Sequence, residues 1–282
     1  MKFLNLGCGN SYHKDWTNID FTSSSEYVIE HNLLKGIPLN DASMEVVYHS
    51  HVLEHFSKKD GEELMKECNR VLKKNGIMRV AVPDLETIAI EYLRNLNLAI
   101  EGGNDARHNY EWIKLELFDQ MVRNKSGGEM GKYLHQAFIP NEEYVFNRIG
   151  LEGKNIREAF LSEQNKERPV GNKSLYRPSR KKKVKKLIKR YIFWLLKKVK
   201  LQEPIPEAEI VYTGNFRLSG EIHQWMYDRY SLTELLKKVG FADIRICNAF
   251  ESRIKDWEKY KLDVVNKEIR KPDSLFIEGR KL

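Results

Sequence analysis

The stretch Lys2-Phe3-Leu4-Asn5-Leu6-Gly7-Cys8-Gly9-Asn10 decides the fold. Lys2 to Leu6 is a short apolar run, which is typical of a buried parallel strand, and it leads directly into a glycine loop. Glycines are needed in such a loop because the backbone turns sharply and a ligand must approach it closely. A lone G-x-G also occurs in ordinary strand-ending turns, so the loop by itself leaves both interpretations open.

Strand and helix patterns alternate downstream of this loop. Strands are predicted over 16–21, 26–30, 44–49, 77–82, 242–247 and 274–278, and helices over 60–74, 85–93 and from a capping box at Ser231-Leu232-Thr233-Glu234 to Gly240. Such alternation implies a parallel sheet with helices on both faces. Only ten residues separate the first two strands, whereas a crossover usually needs a dozen or more, so the first helix should be one turn or absent.

The regular pattern weakens between about residues 98 and 211. We therefore predict an α/β core formed by 1–97 and 212–282 and interrupted by a largely helical insertion over 98–211.

Composition and cysteine usage limit the class of protein. The 282 residues suffice for one domain with an insertion, and 41% are hydrophobic. The three cysteines are far apart and form no C-x-x-C pair, which argues against a disulfide framework or a cysteine zinc site. No secretory leader and no run of ~20 apolar residues is visible. These features predict a cytoplasmic protein.

The positive charge is concentrated in one segment. Residues 177–200 contain twelve Lys or Arg and no Asp or Glu, so the rest of the chain is at −4 although the whole is at +8. On a helical wheel this segment forms an apolar arc opposite a basic face, which suits the surface of an anionic membrane. Packing on the core with a solvated basic face, or binding of a nucleic acid or an anionic glycan, are the alternatives. The body lacks the spread basic footprint of a nucleic-acid enzyme.

Several motifs in order resemble the small-molecule class I S-adenosylmethionine (SAM) dependent methyltransferases, and most closely a bacterial branch associated with surface-polysaccharide genes. They are Leu4 to Asn10, Asn18-Ile19-Asp20, Lys35 to Leu39, His49 to Phe56, Arg70 to Gly76 and Val82 to Leu85, together with His223 to Asp228 and Ser274 to Gly279 in the tail. The resemblance covers about residues 1–97 and 219–282. It implies a Rossmann-like fold with helices on both faces of a mainly parallel, seven-stranded sheet whose last strand runs antiparallel.

The resemblance implies a set of cofactor-binding residues. Gly7, Cys8 and Gly9 would cradle the methionine part of SAM, Asp20 would hold the ribose, and Asn32 and Leu33 would bind the adenine. Ser50 and His51 would close over the cofactor after the fourth strand. Asn5 stands where many relatives have an acid, and it is included in the predicted set.

The run His51-Val52-Leu53-Glu54-His55 also matches the H-x-x-E-H signature of a group of zinc peptidases. That chemistry requires both imidazoles on one helical face. Here the run closes a strand of an α/β pattern, so we expect no peptidase and no metal. Glu54 and His55 should instead be substrate-facing groups, outer groups of the site or a satisfied polar pair.

Three residues are candidates for a general base that would deprotonate an acceptor hydroxyl, namely His223, Asp84 and His55, with His223 and Asp84 favoured. All three can lie at the carboxyl edge of the sheet, where such folds bind ligands. Asp84 could instead cap the next helix, and His223 could only pack beside Trp225.

The sequence thus predicts methyl transfer from SAM to a sugar, a lipid-linked glycan or a related small acceptor. A SAM-binding protein without catalysis, docked on a membrane as part of a glycan-assembly complex, is the alternative. A nucleic-acid methyltransferase has no supporting catalytic motif after the fourth strand.

Overall fold

The computed structural model describes residues 2–23, 25–103, 105–166 and 207–282. Its main sheet has seven strands in the order β3-β2-β1-β4-β5-β9-β6. The strands are β1 (Phe3–Leu6), β2 (Thr17–Asp20), β3 (Val28–Glu30), β4 (Met44–Ser50), β5 (Leu72–Pro83), β6 (Phe241–Cys247) and β9 (Ser274–Lys281), and β7 (Val264–Val265) pairs with β8 (Glu268–Ile269) in a separate ribbon.

The first five strands run parallel, and β9 runs antiparallel to both β5 and β6. This arrangement confirms the predicted Rossmann-like sheet and its antiparallel last strand. The carboxyl ends of β1 and β4 lie side by side, since Leu6 pairs with His49. The glycine loop after β1 and the histidine-rich run after β4 therefore share one edge of the sheet.

Seven helices are formed by the described residues: α1 (Lys58–Val71), α2 (Leu85–Ile100), α3 (Ala106–Val122), α4 (Gly128–Leu134), α5 (Glu142–Lys166, with a break at Gly150), α6 (Glu207–Leu218) and α7 (Arg229–Lys238). The predicted basic helix over 177–200 lies outside the described residues. In the part of the chain that the structure covers, no helix is both long and apolar enough to cross a membrane.

One face of the sheet is covered by α1 and α7. The main core contains Leu64, Met65, Cys68 and Val71 of α1, together with Leu232 and Leu236 of α7. The packing follows the helical spacing of these residues, because i, i+4 and i+7 positions share one face.

The other face shows why β1 can be followed by a loop without a helix. Residues 7–16 contain no helix, as predicted, and the aromatic segment 254–262 takes the place of one. Trp257 and Tyr260 of this segment pack on Phe3, Trp16 and Tyr48 of the sheet face. An apolar sheet face has to be buried against another element, and here that element comes from the far end of the chain.

Several predicted element boundaries are wrong: the helix predicted over 85–93 continues to Ile100, and two further differences have a clear local cause. The helix predicted to end at residue 74 stops at Val71, because Leu72 already pairs with Met44 and the chain passes a bulge, with Asn75 at φ +62°, before pairing regularly from Ile77. The last helix begins at Arg229, three residues before the predicted start. Its N-cap is Asp228, whose carboxylate accepts from Ser231 N, so Ser231 is the partner in the capping box.

Candidate functional site

The glycine loop has the backbone conformation that a close approach to a ligand requires. Gly7 and Gly9 have φ values of +57° and +50°, a region that residues with side chains rarely adopt. A Cβ on Gly7 would collide with the Val52 side chain, whereas a Cβ on Gly9 would have no atom within 4 Å. Gly7 is therefore required by packing, and Gly9 leaves open space beside the backbone.

This open space belongs to a cavity of about 390 Å³ at the carboxyl edge of β1 and β4. Its lining includes six of the nine predicted cofactor residues, Asn5, Gly7, Cys8, Gly9, Ser50 and His51. The lining is completed by Asn10, Ser11, Tyr48, Glu152, Asn155, Arg270 and Lys271. A bare glycine backbone with adjoining space fits the methionine part of SAM.

Residues from α5 and from the loop before β9 were not predicted as part of this site. Glu152 and Asn155 lie on α5, and Arg270 contacts the Glu152 carboxylate at 3.4 Å. Both segments are distant in sequence from the glycine loop and carry no recognisable motif. Only the folded chain brings them together.

Asp20, Asn32 and Leu33 lie outside the lining of this cavity. The Asp20 carboxylate, at the end of β2, accepts hydrogen bonds from Gly9 N at 2.8 Å and from Thr22 N at 3.2 Å. The Asn32 side-chain oxygen accepts from Leu34 N at 3.0 Å and begins a short 3-10 helix. Their roles toward ribose and adenine stay predictions, and the structure adds that Asp20 fixes the glycine loop.

Asn5 and Cys8 also contribute to the loop. The buried Asn5 amide donates to Ser11 O at 3.0 Å, which ties the two ends of the loop together. Burial and the nearby Asp20 raise the pKa of the Cys8 thiol to about 12, so the thiol stays protonated and does not act as a nucleophile.

His51 connects the cavity to a second group of polar residues. It has φ +53°, lines the cavity, and its Nε2 lies 2.7 Å from Ser274 Oγ. Its Nδ1 lies 3.3 Å from Oε1 of Glu54. Burial lowers the pKa of His51 well below its usual value, which keeps the imidazole neutral.

Glu54 is fully buried at the centre of this second group. His55 Nε2 and His223 Nε2 each lie 4.0 Å from Glu54 Oε1. The two imidazole rings pack edge to face, with their centroids 4.8 Å apart. Burial raises the pKa of Glu54 to about 8 and lowers that of His55 to about 4 and that of His223 to about 2. In each case burial removes the group from water, which disfavours its charged form and shifts its pKa accordingly.

Backbone hydrogen bonds hold the two halves of this group together. Gln224 N and Trp225 N both donate to Glu54 O, and the Gln224 side chain donates to His55 O at 2.8 Å. The third predicted base, Asp84, lies elsewhere. It is the N-cap of α2 and accepts from Glu86 N and Thr87 Oγ1. The structure therefore brings His55 and His223 together. Asp84 caps the next helix, which was the predicted alternative to a role as general base.

Part of the chain matches a known protein family. Residues 4–80 match the family model described as "Methyltransferase domain". No curated protein matches the chain. Among solved structures, a SAM-dependent methyltransferase of Thermotoga maritima, described as a possible histamine N-methyltransferase, is 12% identical, with a TM-score of 0.39 and coverage of 100% of this chain and 82% of that one. A SAM-dependent methyltransferase of Archaeoglobus fulgidus is 13% identical, with a TM-score of 0.36 and coverage of 99% and 86%.

The family match spans β1 to β5, the part of the sheet that carries both the glycine loop and the run after β4. The predicted enzyme class is confirmed at this level: the chain carries a methyltransferase domain, and its cofactor is SAM.

Proposed function

We propose that this protein transfers the methyl group of SAM to a hydroxyl of a sugar or of a lipid-linked glycan. The proposal rests on the position of His51, which lines the glycine-loop cavity and also contacts the buried Glu54. A hydroxyl bound beside His51 would lie next to the cofactor and against a polar wall.

The lining of the cavity suits an acceptor with many hydroxyls. Ser11 and Asn155 offer side chains that can both donate and accept, and Glu152 can accept. Arg270 and Lys271 add two cations, which favour a phosphate such as those that link sugars to lipids or nucleotides. The surface-polysaccharide branch of the sequence resemblance points to the same class of acceptor.

When bound, SAM supplies an electrophilic methyl group on a sulfonium. The residues of this chain would contribute mainly by position, which supplies most of the acceleration when two reacting atoms are held in line. A general base adds ~10²–10⁴-fold where one is used. His55 and His223 are weak candidates for that base, because burial disfavours the imidazolium that would form.

The test is a screen of lipid-linked and nucleotide-linked sugars with methyl-labelled SAM. We expect label in one of these acceptors together with release of S-adenosylhomocysteine. His51→Ala should lower the rate of transfer at saturating SAM, and His135→Ala, an exposed histidine, should leave it unchanged. Transfer only to amines, or to no sugar in the screen, would contradict the proposal.

The second candidate is a non-catalytic SAM-binding protein docked on a membrane. The basic segment 177–200 favours it, because its twelve cations without an acid exceed what solubility requires. SAM binding without release of S-adenosylhomocysteine in the presence of any glycan would select this candidate. The two proposals share the anionic membrane surface as a partner, and a nucleic acid has no comparable support.

A further inference from the structure

The second group of polar residues contains a buried carboxyl group whose oxygens accept no hydrogen bond from the part of the chain that the structure describes. Glu54 is completely buried, and neither of its oxygens has a hydrogen-bond partner among the described residues, although His51 Nδ1 lies 3.3 Å from Oε1. A buried carboxyl group without hydrogen bonds is costly, so proteins retain one where something else binds it.

Two imidazole nitrogens face this carboxyl group. Oxygens of Glu54 and nitrogens of His55 and His223 lie within 4.8 Å of one another, and Glu54 Oε1 is 4.0 Å from each Nε2. A zinc ion binds histidine nitrogen and carboxylate oxygen at about 2.0–2.2 Å, which places two ligands of a tetrahedral site about 3.4 Å apart. The present separations of 4.0 to 4.8 Å would have to shorten by about 0.6–1.4 Å, which side-chain rotations of the three residues can supply.

The tautomer of His55 agrees with a ligand role. Its Nδ1 lies 3.2 Å from Ile222 O, and a carbonyl oxygen can only accept, so Nδ1 carries the hydrogen. A neutral His55 then presents the lone pair of Nε2 toward Glu54. Metal-binding histidines commonly donate their second nitrogen to a backbone carbonyl in this way.

Neighbouring charges leave room for a cation. Two cations, Lys271 and Arg123, act electrostatically on His55 and His223. Lys271 lies 3.4 Å from the Glu152 carboxylate, and Arg123 lies 3.8 Å from that of Glu221. Each of these cations therefore already faces a carboxylate.

We propose that Glu54, His55 and His223 bind a zinc ion. Two histidines and one glutamate form a ligand set that leaves a fourth position to water or to another oxygen ligand. The sequence predicts no metal, because the H-x-x-E-H run does not lie on one helical face. The structure replaces the first histidine of that run by His223, which the backbone bonds from Gln224 and Trp225 to Glu54 hold in place.

The experiment measures zinc on the purified full chain after removal of metals by a chelator. We expect one Zn²⁺ per chain in a competition with a chromophoric chelator, and a rise in the melting temperature on adding Zn²⁺. Co²⁺ should give the strong visible absorption of a four- or five-coordinate site.

Glu54→Gln, His55→Ala and His223→Ala are the test variants, and His135→Ala is the control with an unchanged site. Each test variant should lose zinc affinity by more than the ~10–100-fold that loss of an outer partner costs. Glu54→Gln keeps the size of the side chain, so its fold can be checked by SAM binding. The proposal is overturned if the parent binds no stoichiometric zinc, or if a folded Glu54→Gln protein binds zinc as tightly as the parent.

Discussion

Gly7 and Gly9 share one backbone conformation for two different reasons. Gly7 lies against Val52, so its lack of a side chain is a packing requirement, and Gly9 faces open space within the cavity. Stability and ligand binding can therefore be separated at two positions that are two residues apart.

Gly7→Ala should destabilise the fold more than Gly9→Ala. Both substitutions force a side chain into the left-handed region at a cost of about 1–2 kcal/mol, and Gly7→Ala adds about 1–3 kcal/mol for overpacking against Val52. Urea denaturation measures the difference. Equal losses for the two variants would show that the contact with Val52 is not a constraint.

Asp20→Ala should weaken SAM binding tenfold or more, measured by titration calorimetry. The variant loses the hydrogen bond from Gly9 N and the predicted charge-assisted bonds to the ribose, worth ~1.5–3 kcal/mol each. Asp41→Ala, which removes an exposed carboxylate paired with Arg70, is the matched control and should bind SAM normally. Unchanged affinity in Asp20→Ala would refute the assignment of Asp20.

At the scale of elements, the segment 254–262 covers the sheet face that a crossover helix after β1 would otherwise cover. Directly after this segment, Asp263 belongs to a buried ion-pair network. Arg79 of β5 is fully buried and contacts Asp263 at 2.8 Å and Glu278 of β9 at 2.9 Å. Tyr48 of β4 donates to Asp263 at 2.6 Å. The network thus joins β4, β5 and β9 to Asp263, the residue that follows the covering segment.

Asp263→Ala should lower the free energy of unfolding by about 3–5 kcal/mol, because buried Arg79 would lose one of its two carboxylate partners and the buried Tyr48 hydroxyl would lose its acceptor. Urea denaturation of this variant is compared with that of Asp41→Ala, whose exposed ion pair contributes about 0–1 kcal/mol. A loss of similar size in both variants would mean that the buried network does not hold the segment on the sheet.

The same segment shows what the sequence could predict and what it could not. The strands and α1 follow from local apolar spacing, and the short link after β1 predicts a missing helix. The cover formed by Trp257 and Tyr260 depends on contacts between the two ends of the chain. For the same reason the glycine loop could be predicted as a site, whereas the approach of His223 to Glu54 and of Glu152 to the cavity could not.

At the scale of the whole molecule, charge is separated between one segment and the rest. The chain outside residues 177–200 carries a formal charge of −4 and should be repelled by an anionic bilayer. The sequence of that segment combines an apolar stripe with flanking cations, the two requirements for binding at a membrane surface. Docking there would confine the search for a lipid-linked acceptor to a surface and raise its local concentration.

The expected result is flotation of the protein with anionic liposomes that decreases as salt is added, since exposed charges are screened over ~8–10 Å at physiological ionic strength. Five lysines of the segment are replaced by Gln in the test variant: Lys181, Lys182, Lys183, Lys185 and Lys186. Five exposed lysines elsewhere are replaced in the control: Lys14, Lys59, Lys74, Lys255 and Lys267. Both variants lose the same charge, so a loss of flotation in the first alone, with SAM affinity unchanged, assigns membrane binding to the segment. If the first variant floats as well as the parent, the segment does not dock the protein, and the acceptor has to be sought in solution.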